Sequence, residues 1–194
     1  MTVAALYVDP NGVYANLPDV EVWDEARDAR LYAGPWPVVA HPPCNRWGQL
    51  ARINHARWGT ELGADGGCFA AALAAVRRYG GVLEHPAHTL AWQTYELPRP
   101  RTGSWQQPFD DYGYVTEVSQ VAYGHPARKR TWLYLVGEPL ELDWREPPHT
   151  HVVGAGIHTG ESTWAPRDDE SMRTPAAFRD VLLELARASR RVAA

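Results

Sequence analysis

The chain has little of what secreted, membrane or zinc-binding proteins require. It contains only two cysteines, Cys44 and Cys68, too few for a disulfide framework or a four-cysteine zinc site. No apolar run approaches the roughly 20 residues that a membrane-spanning helix needs. The first residues also lack the basic stretch and long apolar core of a secretory signal. We therefore expect a cytoplasmic protein with no membrane partner, and we interpret Cys68 as a core residue.

Positive charge is also scarce. The 194 residues carry 19 Lys and Arg against 23 Asp and Glu, a net charge of −4. This balance disfavours a strongly basic nucleic-acid coat protein but leaves room for a local basic patch. A hydrophobic content of 45% suits one compact domain. Because the chain shows no internal repeat and no linker, we predict a single domain over residues 1–194.

Short apolar segments alternate with turns and helical segments, a pattern that favours an α/β fold with a mostly parallel sheet. The predicted strands lie at 3–8, 20–23, 37–40, 82–83, 115–122 and 132–136. Helices are predicted at 67–79 and, in the C-terminal region 174–190, at 175–188 with Thr174 as its N-cap. Residues 93–114 are expected to form a long loop and residues 138–171 a mostly irregular segment.

Three segments place reactive or charged side chains at the ends of predicted strands. They are Pro42-Pro43-Cys44, Glu84-His85-Pro86 and Arg128-Lys129-Arg130. If the strands are adjacent and parallel, the loops that follow them meet at one rim of the sheet. The sequence therefore predicts a thiol, a carboxylate and a pair of guanidinium groups around one pocket.

The order and spacing of these segments resemble the DNA cytosine-5 methyltransferases. The Pro-Cys loop of that family is matched by VVAHPPCNRWGQ, its Glu-Asn-Val segment by VLEHPAH, and its Gln-x-Arg-x-Arg segment by VAYGHPARKRTWLYLVG. The resemblance covers roughly residues 36 to 137. It implies a Rossmann-like methyltransferase core of reduced size, DNA as the partner and S-adenosyl-L-methionine as the cofactor.

The resemblance also implies a role for each residue. Cys44 would add to C6 of a cytosine flipped out of the duplex, which makes C5 nucleophilic. Glu84, with its pKa raised by a pocket of low polarity, would protonate N3 of the base. Arg128 and Arg130 would favour the thiolate and hold O2 or phosphate oxygens. Substrate contacts are expected from Pro43, Asn45, Arg46, Gln49, His85 and Lys129.

The sequence departs from the family pattern in its cofactor half. No Phe-x-Gly-x-Gly loop follows the first strand, where the turn Asp9-Pro10-Asn11-Gly12 stands instead, and His85 replaces the family's Asn. The chain is also too short for a full target-recognition domain. A reduced cofactor site would be built near that turn, or completed by a second copy or a partner chain. Its expected residues are Asp9, Asn11, Gly12, Asp28 and Pro42.

Other functions remain open from the residues alone. The chain could be a cytosine-modifying or deaminating enzyme that does not use S-adenosyl-L-methionine and acts on DNA or a cytosine nucleotide. It could be a non-catalytic DNA-binding remnant of the fold, or a cysteine hydrolase that pairs Cys44 with His85 or His125. Four histidines lie in or beside the three segments, but their spacing matches no standard zinc pattern, so no metal is expected.

Overall fold

The computed structural model describes residues 1–109, 111, 113–153 and 173–189, and it contains a six-stranded sheet with helices on both faces. The strands are β1 (Val3–Leu6), β2 (Val20–Trp23), β3 (Val38–Ala40), β4 (Gly81–Pro86), β5 (Tyr114–Ser119) and β6 (Arg130–Val136). The helices are α1 (Gln49–Trp58), α2 (Cys68–Tyr79), α3 (Leu90–Thr94) and α4 (Ala176–Ala188). Short 3-10 turns occupy Ala29–Leu31 and Gln120–Tyr123.

The sheet is mostly parallel, as predicted, with the strand order β2-β1-β3-β4-β6-β5. β1 pairs in parallel with β2 and β3, and β3 pairs in parallel with β4. β6 runs antiparallel between β4 and β5. After β2 the chain returns to the other side of β1, which creates a switch point between β1 and β3. In open α/β sheets the crevice at such a point, outside the carboxyl ends of the strands, is where ligands bind.

Two apolar layers sandwich the sheet because its central strands are buried on both faces. On one face α2 packs through Phe69 and Val76 in a cluster that also contains Leu83. On the other face α4 packs through Phe178 and Leu182 in a cluster with Leu133, among other residues. Residues 178, 182 and 185 recur at helical spacing, so α4 presents one apolar stripe to the sheet. No helix in the part of the chain described above is long and apolar enough to cross a membrane.

The predicted strands are all present, but several of their ends differ. β1 stops at Leu6 because Tyr7 takes a left-handed conformation with φ 61°. β4 continues to Pro86 because it pairs with β6 along its whole length. β5 ends at Ser119, where the chain turns into the 3-10 segment that Gly124 closes with φ 90°.

The helix predictions were partly wrong. α2 and α4 are confirmed, but the N-cap position of α4 is Pro175 rather than Thr174, and no side chain caps it. α3 falls at the start of the predicted 93–114 loop and is capped by the side chain of Thr89. Residues 138–153 are irregular, as expected, whereas residues 154–171 lie outside the described residues. The prediction of a single domain stays a prediction.

We expect Gly81→Ala to destabilise the protein by about 3 kcal/mol or more, since the added Cβ would overlap the carbonyl oxygen of Val38 across the β3–β4 pair. Gly59→Ala is the matched control, because Gly59 is also left-handed but has open space around it, so its cost is about 1 kcal/mol. Urea unfolding measures both. Equal losses in the two variants would contradict the close approach of β3 and β4.

Candidate active site

Cys44 lies just beyond the carboxyl end of β3. The segment 41–44 leaves the strand through Pro42, which is buried, and Pro43, which is exposed. Two successive prolines fix φ and stiffen this path. The carbonyl of Cys44 then accepts hydrogen bonds from the backbone N–H groups of Trp47 and Gly48, at 3.0 and 2.8 Å. Cys44 is a free, partly exposed cysteine held on a rigid loop at the rim of the sheet.

Glu84 lies on the neighbouring strand, one residue past the end of β3 in the β3–β4 register. Its side chain is on the α4 face of the sheet, the same face as Val82, and the residue is only 8% exposed. Its Oε2 is 3.0 Å from Nδ1 of His41, and its Oε1 accepts a hydrogen bond of 3.3 Å from Nε2 of Gln120. The structure thus places a buried carboxylate beside the Cys44 loop.

A second hydrogen bond extends this arrangement to the segment between β1 and β2. The hydroxyl of Tyr14 is 2.8 Å from Nε2 of His41. Tyr14 is 2% exposed, and its ring lies against the imidazole with centroids 5.5 Å apart. Tyr14, His41 and Glu84 therefore form a continuous hydrogen-bonded chain across three segments of the fold.

The charge state of Glu84 differs from the expected one. Burial alone would raise the pKa of this carboxyl, but the hydrogen bond of His41, together with other effects that include the charge of Lys129, outweighs burial and lowers it. The predicted raised pKa was therefore wrong, and Glu84 is an ionised carboxylate at neutral pH. It is suited to accept a proton before it donates one.

The pKa of the Cys44 thiol is raised, whereas that of the Glu84 carboxyl is lowered. Burial raises the pKa of its thiol, the nearby charge of Glu84 raises it further, and the charge of Lys129 lowers it. The resting group is a thiol rather than a thiolate. Attack by sulfur therefore requires that the thiol lose its proton, and Glu84 is an ionised carboxylate whose charge acts on this thiol.

The cation at this site is Lys129 rather than the two flanking arginines. Arg128 donates to Glu146 at 2.9 Å, and Nε of Arg130 donates to Glu117 at 2.8 Å. Because successive side chains in extended backbone point to opposite sides, Lys129 faces the other way, where its charge acts on Glu84 and Cys44. The catalytic role expected for Arg128 and Arg130 is thus not supported by their positions.

His85 lies on the face of β4 opposite to Glu84. It lies on the α2 face of β4, is 1% exposed, and packs against Phe69 and Trp92 with ring centroids at 5.2 and 6.5 Å. Burial lowers the pKa of its imidazole to about 4, while Glu84 and the backbone of Pro43 oppose that shift. The ring is therefore neutral and buried, so the expected contact between His85 and substrate is corrected to a role in packing beneath the Cys44 loop.

The residues that follow Cys44 are more exposed than the strand before it. Asn45 is exposed and Arg46 partly exposed, whereas Gln49 begins α1 and its side chain lies outside the described part. Trp47 anchors this stretch, since its indole N–H donates to Asp65 at 2.8 Å. The substrate contacts expected from Asn45 and Arg46 stay a prediction.

Most of the predicted cofactor residues form hydrogen bonds within the chain. Asp9 accepts a hydrogen bond of 2.8 Å from the backbone of Asn11, and the backbone N–H of Gly12 donates to the carbonyl of Asp9 at 2.9 Å, so they form an exposed turn. Asp28 binds Arg30 through both carboxylate oxygens, at 2.7 and 2.8 Å. The structure therefore gives the Asp28 carboxylate a partner within the chain. Pro42 lies with the thiol loop rather than with this turn.

Sequence reasoning missed three residues of the site. Tyr14 carries no sequence signal for a role at the site, and His41 stood out only as one of several histidines near the loops. Gln120 donates to both Glu84 and Thr131, and its position at the end of β5 was the available signal. Within the described ranges, no group of three or more His, Cys, Asp or Glu residues could hold a metal ion. His125 turns its Nδ1 to the backbone of Ala127.

Comparison with known proteins found no matching family model, no similar curated protein and no similar solved structure.

The reactivity of Cys44 should respond in opposite directions to the two charges beside it. Glu84→Gln removes the charge that raises the thiol pKa, so alkylation at pH 8 should become roughly three- to tenfold faster. Lys129→Gln should slow it by a similar factor. Iodoacetamide labelling in a Cys68→Ser background measures both rates.

Arg130→Gln is the matched control for the cation, because Arg130 is bonded to Glu117 and should leave the labelling rate unchanged. If Arg130→Gln slowed alkylation as much as Lys129→Gln, the assignment of Lys129 as the cation of the site would be wrong.

Proposed function

We propose that this chain is a DNA cytosine-5 methyltransferase-like enzyme in which Cys44 adds to C6 of a flipped cytosine and thereby activates C5 for group transfer. One observation carries this proposal: Cys44 follows β3, Glu84 lies on the adjacent β4, and the charges of Glu84 and Lys129 both act on the Cys44 thiol. A nucleophile, a proton acceptor and a cation are the groups that addition to a pyrimidine ring requires.

The addition step balances with the residues of this chain alone. The Glu84 carboxylate takes the proton of the Cys44 thiol, and the sulfur forms a bond to C6. The electrons of the C5–C6 double bond move towards C4, and N3 receives the proton from Glu84. The S–H bond is broken, S–C6 and N3–H bonds are formed, and the product is an enamine that is nucleophilic at C5.

Lys129 supplies what the resemblance assigned to the arginines. The charge of its ammonium favours the thiolate form of Cys44, and its Nζ donates to the backbone carbonyl of Arg173 at 3.2 Å. We assign to this ammonium the hydrogen bond to O2 of the base. Burial lowers the pKa of Lys129, while the charges of Glu84 and Cys44 raise it. These charges oppose burial only in part, so the pKa of Lys129 is lowered overall.

Helix α1 favours a nucleic acid over a free nucleotide as the substrate. It follows Cys44 directly, and its Arg52, His55 and Arg57 are exposed, as is Trp58 at 67%. The helix contains no acidic residue. Arginines beside an exposed indole suit a phosphate backbone with unstacked bases. This basic surface compensates locally for the acidic composition of the chain.

The residues after β1 and β2 do not fit S-adenosyl-L-methionine well. No glycine-rich loop follows β1, and both oxygens of the Asp28 carboxylate are bonded to Arg30, which leaves it poorly placed to accept from a ribose. The pairing of Asp28 favours the second candidate, a cytosine-modifying enzyme that completes its reaction without S-adenosyl-L-methionine or with a donor site supplied by a second chain.

The enamine provides a test that needs no donor. Because its C5 can take up a proton from water and lose the original one, the protein should release tritium from a [5-3H]deoxycytidine oligonucleotide. Cys44→Ala should reduce this release at least about 100-fold, whereas Cys68→Ala should leave it unchanged. Tritium in water, measured with and without S-adenosyl-L-methionine, is the readout.

No release by the intact protein, or equal release by Cys44→Ala, would refute the proposal. Methyl transfer to C5 in the presence of S-adenosyl-L-methionine would support the first candidate. Release without any cofactor dependence, or release of ammonia, would select the second.

Binding to oligonucleotides should depend on α1. The double variant Arg52→Gln/Arg57→Gln should weaken binding and reduce the slope of log K against log salt by about 1.8, since each lost phosphate contact contributes about 0.9. Fluorescence anisotropy over a salt series measures this slope. Arg78→Gln/Arg187→Gln makes the same change in charge at the ends of α2 and α4, near the opposite rim. Equal effects of the two double variants would contradict a binding role for α1.

A further inference from the structure

Resting on the proposed function, we propose that Tyr14 and His41 are positioning residues that hold the Glu84 carboxylate ready to accept the proton of Cys44. The supporting contacts are the two successive hydrogen bonds, of 2.8 Å between Tyr14 and His41 and 3.0 Å between His41 and Glu84. These residues come from the β1–β2 segment, the end of β3 and β4. Tyr14 lies outside the three segments that carry the resemblance to methyltransferases, and His41 lies in the Pro-Cys segment, where the resemblance gives it no role.

The side chains hydrogen-bonded to Glu84 donate to its oxygens, which favours the ionised carboxylate that can accept a proton. The Gln120 amide donates through Nε2 to Oε1, and the same amide also donates to the hydroxyl of Thr131 at 2.9 Å. With Nδ1 of His41 protonated, Oε2 accepts as well. Each carboxylate oxygen therefore has its own donor, and the plane of the carboxylate is fixed by Gln120 on one side and His41 on the other.

The hydroxyl of Tyr14 determines which nitrogen of His41 carries the proton. Burial, followed by the charge of Glu84, raises the pKa of Tyr14 well above its usual range, so its O–H remains intact at working pH. A neutral His41 that accepts this O–H at Nε2 must carry its proton at Nδ1, where it donates to Glu84. Tyr14 thus fixes the tautomer that Glu84 needs.

Other charged groups face the chain of hydrogen bonds from the neighbouring elements. Lys129, Cys44 and, from the opposite face of β4, His85 interact electrostatically with Glu84, and Arg179 and Asp180 of α4 do so with Tyr14. Lys129 also favours the ionised form of Glu84, but its charge acts on the thiol too. His41 is hydrogen-bonded to Glu84 and to Tyr14, so its removal changes the surroundings of Glu84 while the cation of the site, Lys129, is kept.

The consequence concerns the order of proton transfer. Without His41 the buried Glu84 would be protonated over more of the pH range, and the Cys44 proton would then have no acceptor. The acidic limb of the activity profile should therefore follow the pKa of Glu84. Because activity requires the ionised form, raising this pKa moves the limb to higher pH by the same amount.

The carboxyl signal of Glu84 in 13C-glutamate-labelled protein, assigned with Glu84→Gln, tests the proposal directly. His41→Ala should raise the pKa of Glu84 by about one unit or more. Tyr14→Phe should raise it less. His41→Asn, whose amide can still donate in place of Nδ1, should keep it within about half a unit of the starting value. His88→Ala is the matched control, since His88 lies over Trp132 on the other face of the sheet.

The second measurement is the pH profile of tritium release. Its acidic limb should shift in His41→Ala and return towards its original position in His41→Asn, a rescue that a purely structural role would not produce. An unchanged pKa of Glu84 in folded His41→Ala, or a shift in pKa without a shift of the limb, overturns the proposal. An inactive wild-type protein would refute the proposed function, and the carboxyl titration would still decide whether Tyr14 and His41 hold Glu84.

Discussion

The arrangement at the rim depends on the burial of one carboxylate. Glu84 lies at the end of a central strand, 8% exposed, where an ionised group is costly unless donors surround it. The donors come from separate segments, with His41 after β3 and Gln120 after β5. Satisfying Glu84 therefore brings the ends of these strands together, and the same requirement holds the Cys44 loop next to them.

The alternation of side chains along extended backbone decides which cation reaches this carboxylate. In the run Arg128-Lys129-Arg130 only one of the two sides can face Glu84. The arginines have acidic partners of their own, Glu146 and Glu117. The ammonium of Lys129, a compact charge on a flexible side chain, thus takes the place of a planar guanidinium group. In the proposed reaction Lys129 acts on the sulfur and the base oxygen as a single charge, without the two parallel hydrogen bonds that an arginine can make.

The sequence was sufficient to predict the parts of the fold with strong periodicity. The buried strands and the apolar stripe of α4 appear where expected, since burial on both faces leaves a clear pattern. Helix α1 was missed because its exposed surface, with Arg52, Ile53 and Trp58, has no apolar stripe that packs on the sheet. The position of β6 between β4 and β5 was not predicted, because strand order depends on contacts between distant residues.

The site was predictable in its residue types but not in its electrostatics. Cys44 and Glu84 were found because each follows a buried strand, and parallel neighbours share a rim. The ionisation of Glu84 could not be inferred, since it depends on His41, 43 residues away in sequence and 3.0 Å away in space. Sequence position suggested desolvation alone, which raises the pKa of a carboxyl, whereas the folded chain adds the hydrogen bond and charges that lower it.

The two halves of the rim differ in a way that bears on the reaction. At the ends of β3 and β4, Cys44 is a free thiol whose proton has an acceptor beside it, and Lys129 supplies the positive charge. At the ends of β1 and β2, Asp28 is paired with Arg30. Addition of the thiol to a ring requires only the first half, whereas group transfer also requires a donor at the second. Under the proposed function, these residues therefore favour activation of C5 over binding of the group that C5 would attack.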